Sequence, residues 1–519
     1  MSSTSLLIHD VRPVGLDGPA GRGASLSRGE PVEPVEPVEP VDVLVIDGVI
    51  REVGPRLTGR AGRGVDVLDA GGRFGIPGLW DQHVHLDQWA LQQVRLDTTL
   101  ATGPGDVVEL VRRRVAELGT ADRTSVVQGW GHRSSTWTGA RTADALDEVS
   151  GDHPVVLISG DAHHGWMNSV ALQRLGFPTG AGAGVVEEGP WFAAYGRLGA
   201  TFGPDPHLDD GLRTVLRSAA ELGVVGVVDF EFGGALGSWP GRVAAGLDTL
   251  RVRASTYEDG LADVLARGLR TGDSLDATGL VTMGQLKLIS DGSLNTRTAH
   301  CCSPYLDGTG RGAQNYSAEQ LVELLGQAAR AGLECAVHAI GDAAVEIALD
   351  AFAATRAHGS IEHAQLVRWP DVPRLAALGL RASVQPSHLL DDRDVSDGCW
   401  ADRTERCFVL RSMLDAGIGL ALGSDAPVSP LDPWLAMAAA VHRSGDDRAP
   451  WHPEQAISVR EALAASVDGQ RLVPGSRGDV VLLDTDPLAL QGDSREVAHG
   501  LRRMRAGATI VAGRLVHGL

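Results

Sequence analysis

Short apolar runs recur along the chain, and each ends on a polar or chemically capable residue. Gly226-Val227-Val228-Asp229 and Leu420-Ala421-Leu422-Gly423-Ser424-Asp425 are of this kind, as are the runs that end at His338 and His363. Between the last two, Val345, Ala348, Leu349 and Phe352 recur at helical spacing, so His338 and His363 sit one strand-helix-strand unit apart. Strand ends of this type fall near His85, Asp229, Tyr257, Ser290, His338, His363, Ser387 and Asp425. Eight strands alternating with helices predict an α/β fold, a (β/α)8 TIM-type barrel over residues 76–467, with all these ends on one face. Residues 95–210 exceed any ordinary connection, which predicts a long insertion after the first barrel strand.

The flanks follow a different period. Residues 1–75 and 468–519 carry β signals, among them Val43-Leu44-Val45-Ile46-Asp47-Gly48-Val49-Ile50, where Asp47-Gly48 marks a tight hairpin turn. A small β-sandwich domain assembled from both termini accounts for the split. The Glu-Pro-Val repeat of residues 30–41 has no pattern that could bury a face and reads as an extended, solvated spacer.

Composition narrows the function classes. Of the 519 residues 43% are hydrophobic, enough for an ample core, and the net charge is −20. No basic cluster is longer than Arg112-Arg113-Arg114, which argues against nucleic acid or an anionic membrane as partner. No segment offers the roughly 18 uninterrupted apolar residues of a membrane span. The stretch from Met1 to Asp10 lacks a charged leader and a signal-type apolar run, and five cysteines without metal-type spacing fit a reducing compartment, so cytoplasm is expected. His300-Cys301-Cys302 reads as a loop, because adjacent residues rarely chelate one ion together.

The candidate chemistry starts from a scarcity. The chain has one lysine, Lys287, against 45 arginines. An ammonium can lose its proton and act as a nucleophile, which a guanidinium effectively cannot, so the surviving lysine points to a site where arginine would fail. It lies in the apolar run Gln285-Leu286-Lys287-Leu288-Ile289 ahead of a polar turn. His83 and His85 stand at i and i+2 near a strand end, so both side chains face the same way and can reach one ion. With His338, His363 and Asp425 these residues form a candidate metal site of four histidines, a lysine and an aspartate.

On these residues the chain resembles the amidohydrolase superfamily, specifically its amidohydrolase-3 branch, which includes N-substituted formamide deformylases. Seven ordered motifs carry the likeness: Pro77-Gly78 through His85, Lys287 to Arg297, His338 to Asp342, Ile361-Glu362-His363-Ala364-Gln365, Ser383-Val384-Gln385-Pro386 with His388, Gly423-Ser424-Asp425-Ala426-Pro427, and Gly478-Asp479. The resemblance implies two divalent metal ions, zinc being the expected metal. His83 and His85 would hold the more buried ion and His338 and His363 the more exposed one. Lys287, carbamylated by carbon dioxide, would bridge them, and Asp425 would bind the first ion and carry the proton. The implied reaction is hydrolysis of a C–N bond of a small-molecule amide or formamide by a metal-bridging hydroxide. Partners expected are that substrate and, as a candidate assembly, a homodimer.

The chain departs from the family pattern near the substrate. It reads Asp291-Gly292-Ser293-Leu294-Asn295-Thr296-Arg297-Thr298 where Asp-Gly-Ser-Leu-Gly-Ser-Arg-Thr is common, Asp161-Ala162-His163-His164 where Asp-Gly-His-Ser is usual, and Ala343 in place of a frequent arginine. His163 and His388 are candidates for holding the substrate carbonyl or its oxyanion, with a loop histidine bonded to backbone as the alternative. Asp291 and Arg297 are candidate substrate contacts, although Arg297 could equally pair with Asp291. Trp130 and Trp166 of the insertion are candidates for a pocket wall, with plain core as the alternative. Two rival readings are a mononuclear deaminase or cyclic-amide hydrolase on the same barrel, and a non-catalytic barrel. Lys287 argues against the first, the retained histidines and Asp425 against the second.

Overall fold

The computed structural model describes residues 5–16, 39–59, 64–92, 95–118, 125–134, 137–180, 182–203, 208–233 and 235–518. Eight parallel strands, Leu79–Val84, Val224–Asp229, Arg251–Thr256, Val281–Ile289, Cys335–Ala339, Gly359–His363, Arg381–Val384 and Leu420–Leu422, pair in chain order. The expected barrel is therefore present, with each strand ending within three residues of the position that the apolar runs gave it. Val84 bridges Ala426, and the His85 amide donates to the Ala426 carbonyl at 2.8 Å, which joins the first strand to the eighth. Strand residues are buried on both faces because helices cover the outside. The helix Asp342–Thr355 buries Val345, Ala348, Leu349 and Phe352, the residues whose spacing predicted it. Gly226 admits the first strand's large side chain: a Cβ there would lie 2.3 Å from the Trp80 ring.

Both termini contribute to one further eight-stranded sheet. Phe74–Pro77 pairs antiparallel with Val480–Leu483, which stitches the N-terminal strands to Ala506–Val511 and Arg514–Gly518. Val41–Ile46 and Val49–Gly54 form the expected hairpin, with Asp47 and Gly48 at φ of 51° and 73°, the left-handed pair that such a turn requires. Most of the Glu-Pro-Val spacer, through residue 38, lies outside the described residues.

Between the first and second barrel strands the insertion builds its own five-stranded sheet from Leu96–Asp97, Val127–His132, Val155–Ser159, His164–Met167 and Val185–Glu187. Trp130 and Trp166 prove to be core here rather than pocket wall. Trp130 belongs to a buried apolar cluster with Ile158, Met167 and Trp191, and Trp166 to a second one with Val111, Leu146 and Leu157. A sheet this small can bury both of its faces only by spending its largest side chains on them, and neither ring lines the cavity at the C-terminal end of the barrel.

Candidate metal centre

The C-terminal ends of the barrel strands and the insertion sheet enclose a cavity of about 480 Å³, and His83, His85, Lys287, His338, His363 and Asp425 all line it. His83 and His85 come from the end of the first strand. Simple alternation would put Glu362 and His363 on opposite sides of the sixth, yet both reach the interior. The backbone of His363 turns left-handed, with φ of 68°, and that twist swings its ring back over the site. Asp425 is delivered in the same way, at φ of 57°. Such conformations cost on the order of 1–3 kcal/mol each and persist where surrounding structure enforces them.

Contacts inside the site are close. Ligand atoms of His83, His363 and Asp425 lie within 4.8 Å of one another. Asp425 Oδ1 is 3.6 Å from His83 Nε2 and 3.4 Å from His85 Nε2. The His338 ring meets that of His363 edge to face at 4.5 Å between centroids. Lys287 Nζ donates to His83 Nε2 at 3.0 Å and sits 4.4 Å above the Phe230 ring.

Burial sets the protonation states. It drives His83 down to about 4, with Lys287 beside it adding to the effect. Burial also holds His363 well below its usual value, helped by the neighbouring His338. Both rings are therefore neutral, the form whose lone pair can bind a metal. Buried nitrogens of His85 and His363 find no hydrogen-bond partner among the described residues. Burial lowers Lys287 to about 8, which leaves a useful fraction of free amine near neutral pH. Asp425 is ionised near neutral pH: burial pushes its pKa up, but His83 and His363, which gain charge only in acid, and the hydrogen bond from His85 hold it well below its usual value. Several neutral imidazoles, an ionised carboxylate and an amine able to take up carbon dioxide make a donor set that fits divalent ions of the zinc class.

Residues beyond the six candidate ligands complete the site. Glu362 accepts the Nδ1 proton of His83 at 2.7 Å, which fixes that ring's tautomer and aims Nε2 inward. Its place directly before His363 was the available signal, and the alternation rule conceals it. Asp81 accepts the His83 and Ser424 amides at 3.1 and 2.9 Å and so ties the first strand to the eighth. His163 stands across the cavity, 6.3 Å from His338 between ring centroids, and donates to Glu188 at 3.1 Å. Burial opposes its charge, but Glu188 prevails and lifts it to about 9. His388 Nε2 lies 3.8 Å from Asp425 Oδ2.

Asp291 and Arg297 do not line the cavity. Asp291 is fully buried, accepts the amides of His300, Ile340 and Gly341 at 2.8–3.1 Å and lies 3.3 Å from His338 Nε2, so its oxygens are already engaged by the chain. Arg297 turns outward to Asp307 at 2.7 Å, rather than to Asp291. Aromatic lining comes instead from Phe192, Phe232 and Tyr257. Phe232 stacks between His85 and Tyr257, with centroid separations of 5.3 and 5.0 Å.

The chain is similar in sequence and in fold to several known proteins. The chain is 28% identical over 511 residues to the N-substituted formamide deformylase of Arthrobacter pascens, covering 88% of this chain and 92% of that one. It is also 28% identical over 495 residues to the protein LONG AFTER FAR-RED 3 of Arabidopsis thaliana, covering 85% and 83%. The crystal structure of an uncharacterized metal-dependent hydrolase from Pyrococcus furiosus superposes with a TM-score of 0.70 at 25% identity, over 93% of this chain and all of that one. A sequence model of the amidohydrolase family matches residues 66–517. The chain belongs to the amidohydrolase family.

Proposed function

We propose that the protein is a metal-dependent hydrolase that cleaves the C–N bond of a small-molecule amide or formamide. The observation that carries this reading is the convergence of His83, His85, Lys287, His338, His363 and Asp425 on one cavity at the barrel's C-terminal end. His83 and His85 would hold one divalent ion and His338 and His363 a second, with Asp425 on the first and the Lys287 carbamate between them. Bound there, such ions supply an acidified water and polarise the substrate carbonyl. Asp425 accepts the proton of the attacking water and returns it to the leaving nitrogen, as base and then acid. Its ionised state and its place beside both His83 and His388 suit that role. His163, held charged by Glu188 and lying across the cavity from His338, would supply a donor to the carbonyl oxygen as that oxygen gains charge.

A mononuclear reading draws on the tighter grouping of His83, His363 and Asp425. The buried amine of Lys287 beside His83 favours two ions, since one ion needs no bridge. The Arthrobacter relative's name motivates formamides as the first substrates to test. The five unpaired cysteines fit a reducing, cytoplasmic setting. Elemental analysis of protein purified without chelator is expected to find up to two zinc-class ions per chain, and a screen of formamides, acyl amides and cyclic amides to find turnover. Protein that carries no such metal, and gains no activity when any is added, would sink the proposal.

A further inference from the structure

The far wall of the cavity, built wholly by the insertion, carries a second cluster that hydrolysis itself does not use. Arg141, His132, Ser134 and His164 line the same cavity as the candidate metal ligands. Three groups converge on one atom there: His164 Nε2 lies 2.8 Å from Arg141 Nη1, 3.1 Å from His132 Nε2 and 3.2 Å from Ser134 Oγ. A guanidinium can only donate, so His164 Nε2 is the acceptor nitrogen of a neutral ring, and it has a single lone pair. Towards that lone pair His132 Nε2 and the Ser134 hydroxyl can act only as donors, and each can otherwise accept, the ring through its other tautomer and the hydroxyl through its own lone pairs. One lone pair serves one of them well, and Arg141 has further N–H groups with no carboxylate in ion-pair reach among the described residues. Arg141 thus brings to the cavity wall guanidinium donors that no carboxylate of the described residues takes up, which is costly to leave without an acceptor in a corner where His132 is completely buried.

We propose that this corner binds a carboxylate of the substrate, so that the amide cleaved is an acid bearing a carboxylate remote from the scissile C–N bond. A carboxylate brings about four lone-pair positions and matches the planar fork of arginine, and the Ser134 hydroxyl and the Nε2–H tautomer of His132 would add donors to it. The charge balance agrees. Burial pulls the Arg141 guanidinium below its ordinary value, and Glu187 and Asp161 offset that pull only in part. Asp161 is already occupied, accepting from Ser159 Oγ at 2.6 Å and from the His163 amide at 3.1 Å. Arg133, the neighbouring cation, is bridged to Asp391 at 2.8 Å. Arg141 is thus the under-neutralised cation of the wall opposite the candidate metal ligands.

The inference rests on the proposed hydrolase, so its test separates the two. Calorimetric titration of metal-loaded protein with 3-phenylpropionate and 3-phenylpropionamide compares a carboxylate with its neutral counterpart. Wild-type protein is expected to prefer the acid, and Arg141→Gln to weaken the acid at least about tenfold while the amide changes less than about threefold. Arg141→Lys keeps the charge but loses the fork, and an intermediate loss is expected for it. It serves as the second variant should Arg141→Gln fold poorly, with melting curves as the control. Equal affinity for the acid in wild type and both variants would mean that the metal ions take the carboxylate, and it overturns the subsite. In turnover of ω-formylamino acids against their carboxamides, Arg141→Gln should raise KM for the acids and leave kcat nearly unchanged. Hydrolysis with no preference for the acids overturns the subsite and keeps the hydrolase. Arg141-dependent binding of the acid without hydrolysis of any amide keeps the subsite and overturns the hydrolase.

Discussion

Lys287 has its amine buried against the Phe230 ring and pointed at His83, a position that no arginine could fill without placing a permanent cation among the candidate ligands. Lys287→Arg should therefore leave at least one metal position empty by elemental analysis. Lys287→Ala, which opens a gap and adds no charge, should recover part of its activity in acetate or propionate. An arginine variant that is fully metallated and active would show that the lysine bridges nothing. Asp425→Asn keeps a weak ligand but removes the proton carrier, so turnover should fall by about 10²–10⁴-fold with the melting temperature little changed. Near-normal turnover would assign the proton to another group, with His388 the nearest candidate.

Each barrel strand ends in chemistry because its apolar run stops where the barrel opens, and that coincidence made the fold and much of the candidate site legible in the sequence. The six candidate ligands could be read one strand at a time. What could not be read depends on backbone twist and on contacts between distant elements. Nothing in Ile361-Glu362-His363 tells that the left-handed turn at His363 leaves Glu362 free to orient His83, a residue 279 positions away. The insertion hid its chemistry for a similar reason. Its tryptophans drew the eye but were needed to fill a small sheet, while the cavity took Arg141 from an insertion loop with no pattern and Phe232 from the turn after the second barrel strand. Glu362→Gln tests the cross-strand contact. It should cost about 10–100-fold in metal affinity, read by chelator competition, because the amide no longer fixes the His83 tautomer. Unchanged affinity would mean that the strand alone positions the ring.

At the scale of the molecule, the sheet made by the termini braces the barrel through charges that meet on its first strand. Asp468 accepts from Arg253 of the third barrel strand at 2.9 and 2.5 Å, from Arg477 of the C-terminal segment at 2.6 Å and from Gln82, next to His83, at 3.1 Å. The same two guanidinium groups also stand over the Trp80 ring, 4.4 and 4.6 Å from its centroid. Asp468→Asn would leave both arginines short of a counter-charge. Removing one partner of a fully buried pair costs about 3–5 kcal/mol, and with the arginine side chains 22% and 25% exposed the loss expected here is about 1–3 kcal/mol. The pH dependence identifies the cause. Burial pushes the Asp468 pKa up, but Arg253 and Arg477 bring it below the ordinary 3.8. A carboxyl depressed on folding contributes stability that is fully present above its unfolded value and is lost as pH falls through its folded one. The gap between wild type and Asp468→Asn in chemical denaturation should thus be widest near neutral pH and close below about pH 4. A gap that stays constant down to pH 3 would mean that the carboxylate's shape, not its charge, holds the two parts together.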